Sequence, residues 1–381
     1  ANGLCSRCLG EWAGPEARVS GVNVRLGVPN VVGDTMTFSA SVIDKQSLDG
    51  KGIVTVALRG SNSKGDHAKG SATVELPLGG KRQMTTLFAG KAAIAGIGAT
   101  DFSKCSGRST LRLAVEACDA ALRDAGLAPG MVDGMVTYTA DDNPEIDLCR
   151  SLGIDRLTHF SCIPHWGGAG CGAVHQAAMA VASGVCNYCL VYRAFNERSE
   201  VRFGMGVQER EPRPIPMEVD FGWSSPFGLL TPAAWVAMFA TRYMHEYGAT
   251  SEDFGRVAVI SRKYAANNPA AFFFRKPITL EEHQASRWIA RPVRLLDCCQ
   301  ESDGGQAIVV TTLDRARDLR QAPAVITASA QGSCDDQQMM KSYYRKDITG
   351  VPELKLCADQ LYADSGLSAA DIQAAILYDH F

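Results

Sequence analysis

The stretch that most constrains this chain runs from Ser161 to Gly184, SCIPHWGGAGCGAVHQAAMAVASG. Gly167, Gly168 and Gly170 make a tight turn that opens directly onto a helix. Ala173, Val174, Ala177, Ala178 and Val181 recur at helical spacing, so one face of that helix is apolar and made of small residues. Small side chains let backbones approach closely, which predicts a helix buried between two sheets. Tyr188 to Ala194, YCLVYRA, then reads as a buried strand.

From Lys91 onward strand and helix patterns alternate, which argues a layered α/β domain. AAIAGIGATDF is a strand and turn. Ser109 is placed to cap a helix that runs to about Ala125 and stops at Gly126. Gly134 to Tyr138 is the next strand, and Thr231-Pro232 starts a helix to about Tyr247. A second, similar set begins at Ala324, with strand AVITASA, helix Glu353 to Ala363 and strand Ala374 to Tyr378, a weak internal repeat. The glycines of the first strand do not spell G-x-G-x-x-G, so a dinucleotide site is rejected.

Residues 1–77 follow a different rule. Arg18 to Val28, Thr35 to Val42, Ile53 to Ser61 and Gly70 to Leu76 alternate with period 2 between Gly and Asn turns, as antiparallel strands do. The segment 78–90, LGGKRQMTTLFAG, reads as a linker. The expected division is therefore 1–77, linker 78–90, a first α/β half over 91–322 and the start of a second over 323–381. Met84 stands where a once-separate protein would begin, and both ends of the chain read as cut.

Composition narrows the function. A net charge of −3 gives no electrostatic reason to bind nucleic acid. No apolar run reaches the roughly 18 residues of a membrane span, and no signal peptide is visible. Thirteen scattered cysteines suggest a reducing cytoplasm. The pairs Cys5/Cys8 and Cys186/Cys189, and Cys298-Cys299, read as packing rather than as a metal site.

The turn, small-residue helix and strand resemble the nucleophile segment of the thiolase superfamily, roughly C-G-S-G-x-x-A-x-x-x-A-A. Matching Ala173 and Ala177-Ala178 to that pattern puts Gly167 where the family carries its nucleophilic cysteine. Glycine cannot form an acyl-enzyme. Cys162 and Cys171 flank the position and read as buried small residues. The opening G-I-G-x-T-x-F with its D-A-G-L helix end resembles the sterol carrier protein x and lipid-transfer branch. So do TPAAWVAMFATRYMHEYG with Asn267 to Ala270, and the turn Ser302-Asp303-Gly304, whose role reads as structural. Tyr378-Asp379-His380-Phe381 resembles that branch's H-D-C-F motif, whose first position lies near the thioester oxygen. One group in the branch is similar in both departures: the steroid side-chain retro-aldolases. Finally, WAGPEARVSGVNVRLGVPNVVGDTMTFSASV resembles the later half of a MaoC-like hot-dog hydratase. That family's catalytic Asp and His would precede residue 1. Asp34 and His67 read as turn or surface residues, so this piece is no complete hydratase.

The resemblance implies a thiolase-like layered αβαβα fold, an α/β architecture with its second half truncated, preceded by a partial hot-dog (α+β) segment. It implies retro-aldol cleavage of a β-hydroxyacyl-CoA with a steroid-type side chain, giving a ketone and propionyl-CoA. Tyr378 and His380 would be catalytic. A tyrosine of ordinary pKa, near 10, is a poor base, so a neighbour must assist. Gly167 and Gly168, with Arg193, Arg198 and Arg202, would bind the acyl-CoA, since arginines suit its phosphates. These arginines, with Arg210 and Arg213, stand on or beside a long loop, Phe195 to Thr231. Its Glu197, Glu200, Glu209 and Glu211 balance them as a solvated loop would. No cofactor or metal is implied; coenzyme A enters as part of the substrate. The implied partners are a second copy in a homodimer, an OB-fold and zinc-ribbon protein, and a MaoC-like hydratase. Two other functions stay open: a thiolase of the sterol carrier protein x type using Cys162 or Cys171, and a non-catalytic acyl-CoA or lipid-binding protein.

Overall fold

The computed structural model describes residues 5, 8–9, 12–13, 17–30, 33–48, 51–77, 89–138, 143–163, 168–200, 202, 222–338, 340, 342–378 and 381. The chain divides into two units, Ala1–Gln83 and Met84–Phe381. Most of the linker expected at 78–90, Met84 included, lies outside the described residues.

In the first unit four strands form an antiparallel sheet: β1 (Arg18–Leu26), β2 (Thr37–Leu48), β3 (Lys51–Asn62) and β4 (Gly65–Pro77), in the order β1-β4-β3-β2. Alternation along β3 sends Val54, Val56 and Leu58 to one buried face. Cys5, Cys8, Leu9, Trp12 and Ala13 are helical, and Cys5 and Leu9 pack on that same face. The sequence reading had no helix there. His67 lies within β4, half-buried, with its Nδ1 2.7 Å from the Val28 carbonyl, so it is a strand residue rather than the turn or surface residue expected. Asp34 lies in the irregular segment before β2, partly buried, and accepts a hydrogen bond from the Ser63 hydroxyl at 2.8 Å.

The second unit is built on a six-stranded mixed sheet. In chain order it runs β5 (Ala92–Ala99), α1 (Thr110–Ala125), β6 (Gly134–Tyr138), α2 (Glu145–Leu152), β7 (His159–Ile163), α3 (Ala169–Ala182), β8 (Tyr188–Asn196), α4 (Pro232–Tyr247), α5 (Ser251–Asn267), α6 (Leu280–Ala285), the short pair β9 (Trp288–Ala290) and β10 (Val293–Arg294), β11 (Asp303–Thr312), α7 (Leu313–Ala316), β12 (Ala324–Ile326) and α8 (Pro352–Ser365). The sheet order is β12-β5-β11-β8-β6-β7; β6 is parallel to β7 and β8, and the other neighbours are antiparallel.

Helices cover both faces. Leu113, Ala117 and Ala121 of α1 pack with Leu190, Tyr192 and Val309 on one side. Ala173, Ala177, Ala178 and Val181 of α3 pack with Val136, Val191 and Val310 on the other. A strand covered on both faces needs no polar alternation, which is why YCLVYRA is apolar almost throughout. Ser109 caps α1 by accepting from the Arg112 N–H, and Gly126 ends it in the left-handed conformation.

Two expectations for the second unit fail. The helix α3 lies on one sheet, not between two; its outer side meets the segment after β12, where His175 Nδ1 is 2.9 Å from the Ser329 hydroxyl. Residues 374–378 are not a strand, and Ile376 and Leu377 are exposed. The reason is pairing. The strand AVITASA shortens to Ala324–Ile326 and spends its backbone groups on β5 of the first sheet. Among the described residues no strand lies beside 374–378 to hold it extended.

The first strand's glycines have a packing role. A Cβ on Gly98 would come within 2.2 Å of the Ala117 carbonyl oxygen and 2.4 Å of the Ala121 nitrogen, so β5 touches the backbone of α1. Gly98→Ala should push α1 off the sheet at about 3 kcal/mol, the upper end for overpacking. Chemical denaturation should show the loss; an unchanged midpoint would mean that the contact relaxes.

Candidate active site

The site grows from a polar knot between the end of β8 and the start of β11. Asp303 is fully buried. Its carboxylate accepts hydrogen bonds from the backbone N–H groups of Ser106 (2.9 Å), Arg198 (2.9 Å) and Ser199 (3.0 Å). Burial opposes the charge, but a hydrogen bond from the Ser199 side chain and these three from the backbone outweigh it and hold the carboxyl below its usual range. Buried Asn196 donates to the Arg108 carbonyl at 2.7 Å and accepts from the Ser106 hydroxyl at 2.9 Å. The turn at 197–200 is pinned from both sides, and it carries Glu197.

Glu197 faces a cavity of about 570 Å³ lined also by Phe102, Tyr138, Arg193, Phe195, Phe272 and Gln300. Arg193 lies between two rings, its guanidinium carbon 5.0 Å from the Tyr138 centroid and 5.3 Å from that of Phe195. Its buried Nε has no hydrogen-bond partner among the described residues. Burial first, then the nearby Glu301, pushes the Glu197 carboxyl up to about 7, against the pull of Arg193 and Lys104. The neighbouring Glu301 differs: its carboxylate takes Arg202 Nε at 2.8 Å, while its carbonyl takes Lys104 Nζ at 2.6 Å. Lys104 also lies 5.0 Å from the Phe272 ring centroid, and burial, with Arg198 nearby, lowers its pKa. Burial, with Glu197 and Glu301 nearby, raises the Cys299 thiol to about 11.

Tyr378 stands at the edge of this cluster. Its side chain is 68% exposed, yet partial burial of the phenol raises its pKa, helped by Cys299 and Glu197 and opposed by Arg193. A second, mainly apolar groove of about 560 Å³ runs between α4 and α5 and reaches Cys298, Cys299 and Phe381; Phe273 and Gln300 line both spaces.

Arg193 thus lies in the electrostatic surroundings of Tyr378, and Arg198 and Arg202 lie in those of Lys104. The structure corrects three readings. Arg193 belongs to β8 and packs between aromatic rings, and Arg202 is ion-paired to Glu301, so neither is a free loop cation. Cys162 on β7 and Cys171 on α3 are exposed, not buried small residues. Glu197 is not a solvated balancing charge. Its signal in the sequence was only its position directly after a buried strand. Gly168 is the residue that precedes α3. Gly167, His380, Arg210, Arg213, Glu209 and Glu211 lie outside the described residues. No cluster of His, Cys, Asp and Glu among the described residues could hold a metal ion.

Comparison with known proteins identifies the family of the fold. Residues 92–313 match the family described as thiolase, N-terminal domain. The chain is 62% identical over 296 residues to a steroid side-chain-cleaving aldolase of Thermomonospora curvata, covering 78% of this chain and 76% of that one. It is 59% identical to the 17-hydroxy-3-oxo-4-pregnene-20-carboxyl-CoA lyase of Mycobacterium tuberculosis, over 77% and 76% of the two chains. A solved Ltp2-ChsH2(DUF35) aldolase superposes with a TM-score of 0.72 at 61% identity, covering 77% of this chain and 75% of that one.

Proposed function

The chain belongs to the thiolase family, and we propose that within it this protein is a carbon–carbon lyase, cleaving a β-hydroxyacyl-CoA with a steroid side chain into a ketone and a short acyl-CoA. The 62% identity to a steroid side-chain-cleaving aldolase carries this reading. Coenzyme A is part of the substrate, as the name of the lyase relative implies for that protein.

Retro-aldol cleavage moves a proton off the substrate hydroxyl, breaks the Cα–Cβ bond and leaves the electrons on the thioester as an enolate. No covalent enzyme adduct is required, so glycine at 167 is tolerable. The chemistry needs a proton acceptor, stabilisation of the enolate oxygen and an acid for the enolate carbon. We assign proton transfer to Tyr378, with His380 beside it in sequence. Gly168, at the N-terminal end of α3, suits the approach of the thioester to that helix's positive end. Arg193, over the Tyr138 ring, is read as a contact of the acyl-CoA and Arg198 as a cation for its phosphates, while Arg202 is held by Glu301.

The Ltp2-ChsH2 neighbour supports a protein partner, here read as an OB-fold and zinc-ribbon protein, besides a second copy of this chain. The first unit, a four-stranded antiparallel sheet with Cys5 and Leu9 packed on it, is read as part of a MaoC-like hot-dog domain. A hydratase of that class makes the β-hydroxyacyl-CoA that this enzyme consumes. We read the domains as 1–77, linker 78–90, 91–322 and 323–381, and the protein as cytoplasmic. Among the described residues no helix is long and apolar enough to cross a membrane.

Exposed Cys162 and Cys171 keep one rival in play, a thiolase. Incubation with a steroid β-hydroxyacyl-CoA should release a ketone and propionyl-CoA by liquid chromatography and mass spectrometry. Acetoacetyl-CoA should leave the protein's mass unchanged. An acyl adduct on either thiol, with no ketone released, would restore the thiolase.

A further inference from the structure

The groove between α4 and α5 has no part in the chemistry assigned so far. It measures about 560 Å³, within the roughly 300–1,000 Å³ of small-molecule sites. Phe239 and Ala240 of α4, Phe254 and Ala258 of α5, and Phe381 supply much of its lining. Its charged lining residues, Asp297 and Arg262, are engaged elsewhere. Asp297 has one carboxylate oxygen 2.7 Å from His283 Nε2, and the other accepts from the Arg294 N–H at 2.6 Å. Arg262 donates to the Lys276 carbonyl at 3.3 Å, and its guanidinium carbon lies 3.5 Å from the Phe273 ring centroid. The described lining therefore offers a phosphate no unengaged charge, and what remains is an apolar slot.

The slot is also pre-formed. Tyr343 braces α4: its hydroxyl donates to the Trp235 carbonyl at 2.9 Å, and its ring centroid lies 5.0 Å from that of Phe239. Gly255 lets α5 close on α6, since a Cβ there would come within 2.6 Å of His283 Nδ1. Its position points to the occupant. Phe273 and Gln300 line both this groove and the cavity that holds Arg193, Glu197 and Tyr138. A ligand that reacts in the polar cavity has its apolar remainder beside the groove.

We infer that the α4–α5 groove holds the fused ring system of the substrate and sets a preference for a polycyclic over a short or linear β-hydroxyacyl-CoA. The inference rests on the retro-aldol reading, which supplies an acyl-CoA whose reacting carbons carry rings. The carbons that separate lie in the polar cavity, and the rings lie past Gln300 and Phe273. Aromatic walls match the flat faces of fused rings. A rigid polycycle enters a pre-formed slot with little loss of internal freedom, whereas a linear chain must give up its rotations. Remote binding of this kind holds the reacting end in place, so it raises kcat as well as lowering KM.

The test uses the full chain with its partner protein and three substrates that share the β-hydroxyacyl-CoA end. One carries the steroid rings, one a single five-membered ring, and one a linear chain with as many carbons as the steroid. The wild type should cleave the steroid substrate with a kcat/KM at least about 10²-fold above the other two. Ala258→Phe puts a ring into the groove and leaves the lining of the polar cavity unaltered. It should lower the ratio of kcat/KM between the steroid and single-ring substrates about 10²-fold. An unchanged ratio in a folded variant overturns the inference while the function stands. A measurement on the wild type decides the same question without a substitution or turnover. A steroid carboxylic acid without coenzyme A, bearing a photoreactive diazirine on the ring farthest from the acid, should label α4 or α5, mapped by mass spectrometry. Label confined to other segments overturns the inference. A wild type that releases ketone from none of the three substrates overturns the retro-aldol reading, and the position of the label still decides the groove.

Discussion

Tyr378→Phe should lower turnover by about 10²–10⁴-fold while acyl-CoA binding and folding stay nearly intact. The reasoning is local. Phenylalanine keeps the ring and removes only the hydroxyl. That side chain is 68% exposed, so little packing depends on it. The hydroxyl is the one group of the Tyr378 side chain able to take a proton from the substrate and pass it on. Loss of kcat with unchanged KM and unchanged thermal unfolding is the expected pattern, because the interaction removed is made chiefly in the transition state. Wild-type kcat in Tyr378→Phe would leave proton transfer to His380 or to another group.

What the sequence disclosed follows from which interactions are local. Helix α1 was legible because Ser109, its apolar face and Gly126 are all short-range signals. Strand β8 was legible because both its faces are covered, so its residues form one apolar run. The close approach at Gly98 left a visible trace in the G-I-G spacing, although its cause is a helix some twenty residues on. Strand 374–378 misled, since an apolar run announces burial or pairing, and pairing depends on a neighbour elsewhere in the chain. Glu197 was opaque for the same reason. The carboxylates and cations that set its proton affinity sit at positions 104, 193, 301 and 303, and only the β8–β11 pairing brings most of them together. A glutamate followed by arginines reads as a surface charge until the fold removes its water.

Asp303 is where stability and site meet, and its removal should be felt in both. The Ser302-Asp303-Gly304 turn read as structural from sequence, and the structure gives the mechanism: one buried carboxylate ties Ser106, Arg198 and Ser199 to the first residue of β11. Asp303→Ala orphans three N–H donors. Each costs about 1–3 kcal/mol if it stays dry, and those on the 197–200 turn can partly rehydrate, so we expect about 2–4 kcal/mol in total. The melting temperature should drop by roughly 5–10 °C. The pH dependence has a definite sign. The folded carboxyl is held below its unfolded value, near 3.9, so its contribution is fully present above that pH and is lost as pH falls through the folded value. The stability gap between wild type and Asp303→Ala should therefore be constant at neutral pH and close in strongly acidic solution. Because the same hydrogen bonds fix the turn that bears Glu197, kcat should fall in the folded variant as well. A variant as stable and as active as the wild type would show that the turn is held by Asn196 and its partners without Asp303.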